Sequence, residues 1–160
     1  MFGVSGDMVQ LNENHKRVVR NVLLELDQAL STIEALMRDI LPKGVLYTTF
    51  NPLSEDVRER VLKQVEQLRR EIDSAAGKLG LQVERQNAAT LCSSLLSVLW
   101  SDLEDIRSSK LTAYGALGGG QEELDAIVER LVKLVLETLS LVSHVVEASA
   151  VVGSQGEAEG

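Results

Sequence analysis

The chain has 160 residues, 44% of them hydrophobic, 3% aromatic and 25% charged, with a formal net charge of −8. That size and apolar content suit one domain whose core is built from Leu and Val rather than from rings. The acidic balance disfavours nucleic acid as a partner, because Lys and Arg are scattered among carboxylates, as in Arg58-Glu59-Arg60 and Arg69-Arg70-Glu71.

The opening residues, Met1 to Asp7, lack the basic region and apolar core of a signal peptide, and residues 1–11 are expected to be a flexible N-terminus. A first helix is predicted from about Asn12 to Leu41. Its stripe, Val19, Leu23, Leu26, Leu30, Ile33, Met37 and Ile40, alternates steps of four and three and so keeps to one side. Pro42 and Gly44 end it. The connector that follows, Pro42 to Leu53, is apolar and β-branched where a surface loop is usually polar, so it should pack onto something.

A second helix is predicted from Pro52 or Ser54, with the stripe Val57, Val61, Val65, Leu68, Ile72, Ala75 and Leu79 and an end marked by Gly77 and Gly80. A short step near Gly80 to Val83 leads to a third helix. Its stripe is Ala88, Cys92, Leu95, Leu99, Leu103 and Ile106, and it fades near Leu111 to Tyr114. Cys92, the single cysteine, sits among Leu91, Leu95 and Leu96, which points to a buried, inert thiol. After Gly118-Gly119-Gly120 a fourth helix is predicted from Gln121 to Val152, along Leu124, Val128, Leu131, Val135, Val142 and Val145. Lys133, Glu137, His144 and Glu147 interrupt its apolar run, which argues against a membrane span. Residues 153–160 should form a disordered tail, leaving a single helical domain over 12–152.

These elements predict an all-α, antiparallel up-down-up-down four-helix bundle, its first two helices joined by the apolar connector. In that order the connector and the triple-glycine loop share one pole. An extended connector could instead run along the bundle and make the first two helices parallel. The shared pole would gather Tyr47, Phe50 and Tyr114, with Arg107 and Lys110 nearby. Flat faces, hydroxyls and cations of that kind suit a small anionic or apolar ligand; an apolar plug closing the bundle accounts for the same residues. The opposite pole would bring His15 near His144 and Glu147, a weak candidate metal set without the Glu-x-x-His pairs of di-metal bundles.

The fourth helix exceeds the apolar width that one seam can use: Leu131, Val132, Leu134, Val135, Leu136, Leu139 and Leu141 point to nearly all sides. Leu134, Leu136, Leu139 and Leu141 are therefore the candidate oligomer interface, unless this helix lies at the centre of its own bundle. The carboxylates Asp102, Glu104, Asp105, Glu122, Glu123 and Asp125 read as a solvated face and an acidic helix start. No nucleophile motif, catalytic constellation or cofactor pattern is apparent. The expected protein is a cytoplasmic, non-enzymatic interaction module that pairs with itself or with a helical partner, and binds neither membrane nor nucleic acid. A ligand-binding bundle using the aromatic pole and a metal-dependent enzyme are the alternatives.

Overall fold

The computed structural model describes residues 9–154, with 145–154 as backbone alone. Residues 1–8 and 155–160, where most of the expected N-terminal arm and tail fall, lie outside the described residues. Among the described residues the fold is all-α, as the stripes predict. The elements are α1 (Glu13–Met37), α2 (Glu55–Leu79), α3 (Ala88–Asp105), a short α4 (Ser108–Leu111), a 3-10 turn (Thr112–Tyr114) and α5 (Gln121–Ser154). No helix among these residues is long and apolar enough to cross a membrane. The chain divides into two compact units, with the boundary between Val83 and Glu84.

In the first unit α1 packs on α2. Asn12 caps α1, its side chain accepting the His15 amide at 2.9 Å, and Ser54 caps α2 through Val57. The sequence stripe runs on to Ile40, yet α1 stops at Met37. Asp39 takes the left-handed conformation (φ 57°) there, with Ile40 N–H donating to Ala35 and Asp39 N–H to Leu36. Gly80 (φ 65°) closes α2 by the same two-bond pattern, through Leu81 to Ala76 and Gly80 to Gly77. An aspartate holds the strained slot in α1 because its carboxylate is occupied on both sides. One oxygen accepts from Asn51 Nδ2 at 3.2 Å and the other from Arg58.

Leu30 and Val65 are the buried pair of the α1–α2 seam. Around them the seam is polar. Arg69 of α2 reaches Glu34 at 2.5 Å, Ser31 Oγ at 3.2 Å and Asp27 at 3.8 Å, all on α1. Leu26, Ile33, Val57 and Leu68, which the stripes would bury, stay exposed at the margin.

In the second unit α3 packs on α5. Asn87 caps α3 by accepting from Ala89 and Thr90, so this helix starts later than the short link from Gly80 to Val83 implies. It also ends earlier, at Asp105. Asp125 of α5 accepts the Ser108 amide at 2.8 Å and the Ser108 hydroxyl at 2.5 Å, which starts a new helical turn and breaks the path of α3. Val128 and Val132 are the buried residues of this unit among those described.

The two helix-end glycines should respond oppositely to alanine. A β-carbon on Gly77 meets nothing within 4 Å, so Gly77→Ala is expected to stabilise by about 0.5–1 kcal/mol. Gly80→Ala forces a side chain into the left-handed region and is expected to cost about 1 kcal/mol. Urea-unfolding midpoints of the two variants check the signs.

Candidate functional site

The anchored connector displays its apolar residues instead of packing them. Gly44 N–H donates to the Tyr47 carbonyl at 3.0 Å, and Lys43 and Thr48 form an isolated antiparallel bridge, so Val45 and Leu46 occupy the tip of a tight turn. A β-carbon on Gly44 would stand 2.6 Å from the Tyr47 ring, which explains glycine at this position. Asn51 fastens the far end, donating to Leu36 O at 3.0 Å and accepting from Leu53 N–H. Val45 and Leu46 are fully exposed, Phe50 is 81% exposed and Tyr47 55%. The expectation that this segment packs onto something is not met within its own unit, because a turn this tight leaves no length to fold back.

The five residues assigned to an aromatic pole are divided between the units. Tyr47 and Phe50 belong to the first; Arg107, Lys110 and Tyr114 belong to the second. Tyr114 ends the 3-10 turn and is 89% exposed, and Lys110 is exposed on α4. Neither tyrosine hydroxyl has a hydrogen-bond partner among the described residues. Arg107 is occupied: its Nε donates to Glu104 at 2.6 Å and its Nη2 to Glu129 of α5 at 3.1 Å. These bonds hold the Glu104 carboxyl below its ordinary range and raise the guanidinium further. Ser108 does the same to Asp125 through its hydroxyl and amide. In α1, hydrogen bonds from Arg69 and then Arg38 depress Glu34.

The histidines are also divided, His15 in the first unit and His144 in the second, and both are exposed. The Glu147 side chain lies outside the described residues. Among the described residues no group of three or more His, Cys, Asp or Glu is placed to hold a metal ion.

The apolar faces of the second unit are its most extended feature. The seam of α5 toward α3 runs through Leu124, Val128, Val132, Val135, Leu139 and Val142, buried or half-buried. A second seam, Ile127, Leu131, Leu134 and Leu141, follows the same rhythm one residue earlier and is 41%, 42%, 58% and 72% exposed. Thr138 fills its gap with its hydroxyl turned back to the Leu134 carbonyl at 2.7 Å, so the seam stays apolar. Of the interface candidates, Leu134, Leu136 and Leu141 are exposed and Leu139 is half-buried.

On α3 the half-buried side is Ala89, Ser93, Leu96 and Leu103, while Leu95, Val98 and Leu99 are 65%, 60% and 50% exposed. Cys92 is exposed, which corrects the expectation of a buried thiol. It lies about 100° around the helix from Ser93, on the more apolar but unpacked side. Comparison with protein-family models, curated proteins and solved structures finds no match.

One feature escaped the sequence reading. In the first unit an open cleft of about 670 Å³ lies between the first turns of α1 and residues Gly80–Val83, bordered by Lys16, Arg17 and Arg20. The signal for it was available: no acidic residue occurs between Glu13 and Glu25.

Depressed carboxyls add stability above their ordinary values and lose it as pH falls through the depressed ones. Acid destabilisation is therefore expected below 4.5 for Glu34 and below 3.8 for Asp125. Glu34→Gln and Asp125→Asn should each flatten that acid limb while lowering the neutral-pH midpoint. Thermal unfolding followed from neutral pH to about pH 3 reads both effects.

Proposed function

We propose that the protein is a non-enzymatic helical interaction module that associates with itself through the second seam of α5 and the outer side of α3. In this reading four helices form an antiparallel bundle, and the apolar surface left over joins a second copy. The carrying observation is the regular second seam, Ile127, Leu131, Leu134 and Leu141, beside the exposed Leu95, Val98 and Leu99 of the same unit. A second apolar line in heptad register beside the α3 seam is a surface that an isologous dimer uses directly. The mechanism is burial of Leu and Val surface, without bond chemistry.

Size-exclusion chromatography with light scattering, over a range of concentrations, tests the reading. A dimer is expected. Leu134→Glu with Leu141→Glu should raise its dissociation constant by about a hundredfold or more, because carboxylates would be buried unpaired. The exposed Cys92 supplies a second readout: its reaction with a thiol reagent should slow as the dimer forms. A strict monomer at every concentration overturns self-association.

A second reading, a small-ligand site using Tyr47, Phe50, Arg107 and Tyr114, is favoured by the exposed rings and their unpartnered hydroxyls. Against it, Arg107 is already held by two carboxylates. A ligand that perturbs tyrosine fluorescence, and whose binding by calorimetry is lost in a Tyr47→Leu and Tyr114→Leu double variant, would establish it.

A further inference from the structure

The cleft beside the start of α1 stands apart from both apolar seams and from the tyrosines. Lys16, Arg17 and Arg20 share about a 100° arc of α1, so all three border one side of it. Gly80, Gln82 and Val83 form the opposite wall, and Glu13 is the one carboxylate lining the cleft among the described residues. A chain of net charge −8 that gathers three cations in one concavity creates a local field opposite to that of its whole surface.

The nearby structure does not use up this charge. The Schellman bonds at Gly80 and Leu81 already engage the carbonyls of Gly77 and Ala76, so the α2 terminus needs no cation to close it. Lys16 Nζ stands 3.8 Å from where a β-carbon on Gly80 would be, and 3.8 Å from Glu13, a loose pair whose carboxylate is exposed. Arg17 makes no ion pair among the described residues, and the Gln82 and Val83 amides make no backbone hydrogen bond there. Arg20 has a partner of its own and adds only to the local potential.

We propose that this cleft binds a small phosphate-bearing anion, with Lys16 and Arg17 as the recognising cations. Its volume falls in the range of small-ligand sites, about 300–1,000 Å³. Guanidinium and ammonium together match phosphate oxygens by a fork and a point charge. The small size of the cleft and the acidic remainder of the surface favour a free anion over an extended polyanion.

Titration calorimetry of the full chain with inorganic pyrophosphate is the test, accompanied by sedimentation with phosphatidylcholine vesicles containing phosphatidic acid. Saturable pyrophosphate binding with Kd below about 1 mM is expected, weakening with salt. The double variant Lys16→Gln with Arg17→Gln should raise Kd by about tenfold or more without changing helicity. Lys133→Gln, which removes a positive charge from α5, should leave it unchanged. Binding to the vesicles alone, lost in the same double variant, supports the site and assigns the phosphate to a headgroup. No saturable binding to either probe overturns the proposal, as does binding that the double variant keeps or that Lys133→Gln weakens equally. Self-association is read separately by light scattering, so either proposal can fail alone.

Discussion

A helix can bury only the arc that its neighbours cover, and that constraint organises this protein. Each unit pairs two long helices, and each pair has one seam. Among the described residues the buried core is Leu30 with Val65 in one seam and Val128 with Val132 in the other. Everything outside the arc stays exposed however apolar it is. Leu95, Leu134 and Leu141 lie outside the arc that their own pair of helices covers.

The two seams are held in register by different means. Between α1 and α2 the register rests on directional groups. Arg69 spans Asp27, Ser31 and Glu34, three positions along one face of α1, so sliding the helices would break several bonds at once. Asp39, Asn51 and Arg58 then fix the connector to the end of α1. Between α3 and α5 the seam is almost wholly aliphatic, and its register is set at one end. There Asp125 grips Ser108 while Arg107 joins Glu104 to Glu129.

The heptad rhythm made the four long helices legible, because 3.6-residue periodicity needs no tertiary knowledge. It was less able to say which side of a helix would pack. On α3 counting selects Cys92, Leu95 and Leu99, the most apolar line, whereas Ser93 lies on the side toward α5. Small residues allow close approach, and the neighbouring hydroxyls of Ser94 and Ser97 are satisfied by carbonyls one turn back. Helix ends were hidden for a related reason. The stop at Asp39 depends on Asn51 and Arg58, twelve and nineteen residues away, and the break after Asp105 depends on Asp125. Apolar loop residues such as Val45 and Leu46 were legible as unusual, but their exposure follows from the tightness of the turn.

This difference between the seams bears on function. Arg58, Lys16, Arg20 and Arg69 are all half-buried along the first unit's paired helices, so much of its inward surface is charged. Such a surface pairs selectively, because a wrong partner leaves desolvated charges without counter-ions. The second unit has aliphatic residues both inward and outward, and such faces associate strongly but discriminate little. In the proposed self-association the affinity would come from α3 and α5, while ion pairs within the first unit fix one arrangement of its helices. On that proposal, replacing the outward leucines would remove association and leave the Arg69 register intact, whereas replacing Arg69 would loosen the first unit without touching the seam of α5.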